Sequence, residues 1–265
     1  MGKQTIIIFS FIIIAAFGCS KYASTNRVYK KQSRAFAKIL KQYPLHDSAG
    51  IADFVGTTNF SMRKPNFVII HHTAQNSCDQ TLQTFTLPRT QVSAHYVICK
   101  DGTVHHMLSD YLRAHQAGVS KWGNATDINS ISIGIELDNN GFEEFTEPQV
   151  NSLIALLGRL KRSFSIPAAN FIGHGDIAPT RKNDPNWRFP WKQLADKGFG
   201  LWFGDTTNVM VPEYFKPLDA LRMIGFDTRD SSAAKLAFKR HFLQDTSSKL
   251  NSIDIKVLYA LYKKY

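Results

Sequence analysis

Residues 131–138 read Ile-Ser-Ile-Gly-Ile-Glu-Leu-Asp, apolar at Ile131, Ile133, Ile135 and Leu137 and small or polar at Ser132, Gly134, Glu136 and Asp138. Side chains of a β-strand alternate between the two faces of its sheet, so this period of two predicts a strand that buries its isoleucine face. The same alternation puts Glu136 on the opposite face. A carboxylate is thereby held on a rigid element.

Other segments extend the pattern. Pro65 and Asn66 lead into Phe67-Val68-Ile69-Ile70, an apolar run of the length of a buried strand, which ends in His71 and His72. Residues 93–107 read as two strands around the turn Lys100-Asp101-Gly102-Thr103, and Phe171-Ile172-Gly173 as another short strand. Residues 80–90 carry a helical pattern interrupted by Pro88. Thr146-Glu147-Pro148-Gln149 has the form of a capping box, followed by Val150, Leu153, Ile154, Leu157, Leu160 and Phe164 at helical spacing. Residues 174–191, with Pro179, Pro185 and Pro190, are expected to be a loop. Strands interleaved with helices predict an α/β fold, a central mixed β-sheet flanked by helices. Beyond residue 205 the pattern becomes three short amphipathic helices, at about 212–224, 231–242 and 252–262. A chain of 265 residues accommodates a large domain and a smaller one.

The N-terminal part differs in kind. Lys3 followed by an apolar run from Ile6 to Phe17 reads as an export signal too short to span a bilayer comfortably. Ala16-Phe17-Gly18-Cys19 resembles a bacterial lipoprotein processing site, which implies a lipid anchor on Cys19; bulky Phe17 is unusual there. Residues 20–64 are polar and basic with one amphipathic patch at Phe36, Ile39 and Leu40, the character of a tether with a short helix. The formal net charge is +11, with Lys30, Lys31, Arg34, Lys38 and Lys41 clustered in this stretch. Such a charge favours anionic partners: nucleic acid, acidic lipid or acidic wall polymer. No nucleic-acid motif accompanies it, and none of that class of partner is expected. Cys78 and Cys99 could pair in an oxidising compartment or remain two free thiols.

A histidine at the end of a buried strand is aimed rigidly, as a metal ligand must be. His174, Lys182 and Asp184 lie together in a Gly- and Pro-rich loop. Two imidazoles and a carboxylate suit zinc and leave a fourth position for water. Spacing alone leaves the metal hypothesis weak in a chain with nine histidines.

Four segments then make it specific: Val68-Ile69-Ile70-His71-His72-Thr73-Ala74, Ser93-Ala94-His95-Tyr96, Ser132-Ile133-Gly134-Ile135-Glu136 and Gly173-His174-Gly175-Asp176-Ile177-Ala178-Pro179. In order and spacing these resemble the type 2 N-acetylmuramoyl-L-alanine amidases of the AmpD and AmiD kind, relatives of the peptidoglycan recognition proteins. The resemblance spans residues 66–200 and implies that His71, His174 and Asp184 bind Zn2+ while Glu136 and Lys182 are catalytic. Family members often have Trp-His-Ala-Gly where this chain reads Ala114-His115-Gln116-Ala117-Gly118, so substrate contacts from that loop are not carried over. His72 should face away from His71. His95 could line the cleft or donate to a backbone carbonyl, and Asp176 is expected to cap the loop. Tyr111, Trp122, Trp187 and Trp191 are candidates for stacking on sugar or peptide, with packing the more ordinary role of such aromatics.

Asp219-Ala220-Leu221-Arg222 and Ala237-Phe238-Lys239-Arg240-His241-Phe242 resemble the helical peptidoglycan-binding module that follows the catalytic domain in AmiD-like proteins. The expected organisation is therefore a signal at 1–19, a tether at 20–64, a zinc amidase domain at 65–204 and a helical domain at 205–265. The implied activity is hydrolysis of the amide between N-acetylmuramic acid and L-alanine in peptidoglycan or muropeptides, by a monomer held on the outer membrane and facing the periplasm. The alternative is a peptidoglycan-binding protein of the same fold without catalysis.

Overall fold

The structure is a computed structural model that describes residues 21–41 and 57–265. The expected signal and Cys19 lie outside the described residues, as does part of the tether. Two compact units are present, one ending at Phe60 and one spanning Ser61–Tyr265.

In the first unit, helix α1 runs Ala23–Leu40, longer than the short helix expected around Phe36. Its sequence holds no Gly or Pro and eight of its 18 residues are Ala, Lys or Arg, all good helix formers, so nothing interrupts it before Lys41.

In the second unit, β1 (Phe67–His72) leads to α2 (Cys78–Thr86), which a 3-10 turn at Pro88–Thr90 follows. Next come β2 (Tyr96–Ile98), β3 (Val104–His106), the short α3 (Ile128–Ile131) and β4 (Ser132–Leu137). Then follow α4 (Glu147–Phe164), β5 (Phe171–Gly173), α5 (His174–Ile177) and α6 (Trp191–Asp196). The chain closes with α7 (Pro217–Ile224), α8 (Ser231–Leu243) and α9 (Ser252–Lys264). The sheet order is β3-β2-β4-β1-β5, with β2 and β3 antiparallel and the other pairs parallel. The turn residue Gly102 takes a φ of +88°, which a side chain would strain.

The α4 helix starts on Thr146, whose hydroxyl caps Gln149 N–H, with Pro148 in its first turn. Its Val150, Leu153, Leu157 and Leu160 pack on Val68, Ile70, Ile133, Ile135 and Leu137, forming the main core on one face of the sheet. Burying each such side chain stabilises the fold by roughly 1.5–3 kcal/mol. The other face carries Ile69, Ile172, Ala117, Ile128 and Ile177. A third apolar cluster joins α7, α8 and α9 through Leu221, Ala237, Phe238, Leu258 and Leu261. Trp122 and Trp202 contribute to it from the sheet-bearing part of the chain, so the three C-terminal helices belong to the same compact unit as the sheet.

That unit begins at Ser61, a few residues before Pro65, and Arg63 ties this start to α3 and to the loop after β3. Its guanidinium donates to the carbonyls of Ser130 at 2.7 Å, Asp110 at 3.0 Å and Leu112. Cys78 at the start of α2 and Cys99 after β2 form a disulfide.

Candidate active site

β1, β4 and β5 are parallel neighbours, so their carboxyl ends emerge at one edge of the sheet, the usual ligand-binding edge of parallel α/β structures. His71 is the fifth residue of β1 and lies in register with Glu136 on β4; His174 follows β5 directly as the first residue of α5. His71 points to the face of Ile69, and Glu136 to the same face, away from the isoleucine core. Asp184 reaches the site from the far end of the loop, where its carbonyl accepts Gly175 N–H at 2.6 Å and its peptide bond to Pro185 is cis. Within that loop the segment His174–Ile177, expected as coil, is a helical turn, because the Asp176 carboxylate caps Gly173 N–H at 2.7 Å.

The buried side chains of His71, His174 and Asp184 form a tight triangle: Nδ1 to Nδ1 3.0 Å, His71 Nδ1 to Oδ2 2.9 Å and His174 Nδ1 to Oδ2 3.0 Å. What lies behind the rings decides what this triangle can hold. Ser132 Oγ donates to Ile128 O at 2.6 Å and so is free to accept from the Gln116 amide nitrogen at 2.8 Å. This orients Gln116 with its carbonyl oxygen toward His71 Nε2, 2.6 Å away, and an oxygen there requires the His71 proton to be on Nε2. His174 Nε2 faces the Ala117 carbonyl at 3.1 Å, with the same consequence. Both Nδ1 atoms therefore present lone pairs to each other and to a carboxylate oxygen.

Three acceptors cannot satisfy one another by hydrogen bonds; the point between them calls for a cation. Ligands held tetrahedrally at about 2.0–2.2 Å stand roughly 3.3 Å apart, close to the spacing of these donors. The donor set fits a borderline-soft divalent metal ion, and hydrogen bonds from the outer ring nitrogens are the usual support of metal-binding imidazoles. Without a metal, a second proton on His71 is the substitute. Burial opposes it, but the nearby carboxylates of Glu136 and Asp184 and the Gln116 amide outweigh burial and hold the His71 pKa above its ordinary value. Burial and the adjacent His71 push His174 down to about 4. For Asp184, burial is overcome by hydrogen bonds and charge from both imidazoles, so its carboxyl stays well below the usual range.

Glu136 stands at the rim of this triangle, its Oε1 4.0 Å from His71 Nδ1. Its Oε2 is buried and has no hydrogen-bond partner. Burial pushes its pKa up to about 7, Asp184 adding to the rise while His71 and Lys182 oppose it. The residues line a cleft of about 350 Å3 together with Lys182, Thr84, Phe85, Val92, Ser93 and His115. Lys182 is half-buried on the cleft wall, its N–H bonded to Ala178 O at 2.9 Å. All five residues singled out in the sequence are thus gathered in one cleft.

Residues 61–187 match the N-acetylmuramoyl-L-alanine amidase family Amidase_2. The chain is 36% identical over 151 residues to the N-acetylmuramoyl-L-alanine amidase AmiD of Escherichia coli K12, a match covering 51% of this chain and 54% of AmiD. It is 39% identical over 104 residues to the 1,6-anhydro-N-acetylmuramyl-L-alanine amidase AmpD of the same organism, covering 39% of this chain and 57% of AmpD. The matches in sequence thus span a little over half the length of these relatives. In three dimensions it superimposes on E. coli AmiD, solved in complex with the substrate anhydro-N-acetylmuramic acid-L-Ala-D-gamma-Glu-L-Lys. The TM-score is 0.70 at 27% identity, over 83% of this chain and 97% of that one. A Pseudomonas aeruginosa protein, AmpDh3, in complex with anhydromuramic pentapeptide, gives 0.70 at 26% identity, over 83% and 98%.

Residues 61–187 of this chain form a domain of the N-acetylmuramoyl-L-alanine amidase family.

Around this cleft the remaining candidates separate. His72 is buried on the other face of β1, beside Gly141, and borders the cleft without joining the hydrogen-bonding triangle of donors; burial lowers its pKa against the pull of Asp184. His95 is structural: its Nδ1 accepts Gly134 N–H at 3.0 Å and its Nε2–H points to Leu112 O at 3.0 Å. Asp176 caps the loop and also accepts from His241 of α8 at 2.7 Å. Two of the large aromatics are packing groups, Trp191 stacked on His241 with centroids 3.8 Å apart and Trp122 against Phe226, whereas Trp187 lies half-buried under Arg188 and Tyr111, edge-on to Phe164, is 47% exposed. Missing from the sequence reading were Gln116 and Arg181. Arg181 donates to the carbonyls of Ala117 and Val119, both at 2.8 Å, and pins the loop that carries Gln116. The one signal for Gln116 was that its loop departs from the family pattern, together with Gly134, where a Cβ would come within 2.6 Å of the Gln116 side chain.

Proposed function

We propose that this chain is a zinc-dependent amidase that hydrolyses the bond between the lactyl carbonyl of N-acetylmuramic acid and the nitrogen of L-alanine in peptidoglycan or muropeptides. The observation that carries the reading is the convergence of the two Nδ1 lone pairs and the Asp184 carboxylate beside an unpartnered glutamate in an open cleft. The muropeptide ligands of the two solved relatives support the substrate class.

His71, His174 and Asp184 would hold the zinc ion. Bound there, it would acidify a water molecule and polarise the scissile carbonyl. Glu136, whose Oε2 has no hydrogen-bond partner, takes the proton from the attacking water and passes that proton to the departing alanine nitrogen. Lys182 brings positive charge to the carbonyl oxygen as negative charge develops on it. Gln116 and the Ala117 carbonyl keep both imidazoles in the metal-binding tautomer. The products are a free lactyl carboxylate on the sugar and a peptide with a free L-alanine amino group.

The same reading includes export, a lipid anchor on Cys19 and a position on the outer membrane facing the periplasm. The Cys78–Cys99 disulfide supports an oxidising compartment. The helices α7 to α9 serve as the peptidoglycan-binding module, and the protein works as a monomer. A binder without catalysis would have no use for a cation-demanding triangle next to an unpartnered Glu136.

The test is mass analysis of products from a defined muropeptide, with and without a chelator and with zinc restored. Release of peptide beginning with L-alanine, lost on chelation and regained with zinc, is the expected result. Muropeptide binding with no peptide released under any metal condition would establish the binder instead.

A further inference from the structure

Helix α1 carries a feature that amide hydrolysis does not use. Between Ala23 and Leu40 there are five basic residues, Arg27, Lys30, Lys31, Arg34 and Lys38, and no acidic one. At 100° per residue, these five fall within one arc of the helix. Val28, Ala35 and Ile39, with Tyr29, Phe36 and Leu40, fall on the opposite side. None of the residues of α1 is buried, and the apolar ones are wide open: Val28 is 54% exposed, Phe36 50%, Ile39 59% and Leu40 76%. An apolar face of this size left in water is unfavourable and calls for a cover.

We propose that α1 lies flat on an anionic lipid surface, its apolar face sunk among the acyl chains and its basic residues among the headgroups. Charge complementarity selects the partner. A helix with five cations and no anion is drawn to acidic headgroups, and long Lys and Arg side chains reach from the helix flanks to the phosphate level. Nucleic acid or an acidic wall polymer would match the charge but leave Val28, Phe36 and Ile39 uncovered. The helix is not a spanning segment: among the described residues no helix is long and apolar enough to cross a membrane. The apolar run Ile6 to Phe17 ends only a few residues before α1, so whatever membrane receives that run also receives the helix. Attachment through α1 needs neither lipid on Cys19 nor amidase activity, and it goes beyond the proposed function. An amphipathic basic helix beside a lipid anchor would be the second of the two signals that stable peripheral attachment requires.

Co-sedimentation with vesicles tests this directly. The chain from residue 20 onward keeps every described residue and removes the apolar run and Cys19. It is expected to bind phosphatidylcholine vesicles doped with phosphatidylglycerol and not vesicles of phosphatidylcholine alone. The triple change Lys30→Gln, Lys31→Gln and Arg34→Gln should weaken that binding on the order of 100-fold, at about fivefold per charge. Phe36→Ser with Ile39→Ser should weaken it at least about tenfold while leaving the charge intact. Thermal unfolding followed by near-ultraviolet circular dichroism should be the same for all variants. Absence of binding to the anionic vesicles would overturn the proposal. So would vesicle binding that ignores the apolar substitutions, or binding to DNA that is tighter than binding to vesicles and is lost with the same three basic residues, each of which marks a general polyanion site.

Discussion

Two histidine environments flank Gly134 of the central strand β4, and they differ in one respect. His95 and His71 are both buried, and both are locked with the proton on Nε2, by the Leu112 carbonyl and by Gln116 respectively. At His95 the Nδ1 lone pair meets the Gly134 N–H, so every polar atom of the ring is answered by protein and the residue is complete as it stands. At His71 the Nδ1 lone pair meets the lone pairs of His174 and Asp184. Burial of a polar group is ordinary when it is paired. Burial of acceptors aimed at one another is tolerable only if a cation joins them. The same residue type at equal burial is thus structural in one place and a ligand candidate in the other. A buried charge elsewhere repeats the point: Lys239 is 2% exposed, yet Asp245, Asp254 and Ser247 all stand 2.8–2.9 Å from its ammonium. It holds the α8–α9 connection and needs nothing more.

The contrast breaks most visibly if a ligand is removed. Asp184→Ala should lose both bound metal and peptide release, the latter by at least about 10,000-fold, because several kcal/mol of transition-state stabilisation leave with the ion. Metal content by mass spectrometry and a muropeptide assay measure the two losses together. Glu136→Gln separates them: metal content should stay at the wild-type level while peptide release falls roughly 100- to 10,000-fold.

The His95 side of the comparison is tested by pH. Burial pushes its pKa down to about 4, with Arg63 adding to the effect against the Leu112 carbonyl and Asp110, whereas in the unfolded chain it titrates near 6.5. Between those values the unfolded chain binds more protons than the folded one, so His95 makes stability fall as pH drops from 6.5 to 4. The loss amounts to about 3 kcal/mol, or a few hundredfold in the unfolding constant. Because His174, Glu136 and His71 also titrate abnormally in this window, the readout is a difference: the stability of the wild type relative to His95→Asn in urea unfolding should fall by this amount as the pH drops from 6.5 to 4. The smallest effect is expected at Gln116. Gln116→Leu removes the acceptor behind His71 and should weaken metal affinity about 10- to 100-fold with little change in the urea midpoint, a result read by competition with a chromogenic chelator. Unchanged metal affinity in this variant would mean that the tautomer of His71 is set by something other than Gln116.

Much of the frame was legible in the chain itself. Period-two alternation at 131–138 and the apolar run at 67–70 produced β4 and β1, the Thr146 cap and the heptad-like spacing produced α4, and the resemblance named the residues that meet in the cleft. Local periodicity is enough for such elements because each buries one face, whichever partner covers it. The length of α1 was underestimated because apolar residues are sparse in its first half, and none of its residues is buried, so periodicity of burial does not mark its start.

What the sequence by itself determined is the set of strands, the main helix and the positions of His71, Glu136, His174, Lys182 and Asp184 on strand ends and a Pro-rich loop. Only the tertiary structure decided which lone pair of each histidine faces the site, that Gln116 and the Ala117 carbonyl stand behind them, that His95 is self-contained, and that Arg63 and the C-terminal helices belong to the unit that carries the sheet. The physical reason is range. Secondary structure follows from spacing along a few residues, whereas His71 and His174 are 103 residues apart and the fate of a ring nitrogen depends on whichever atom the fold brings within 3 Å of it.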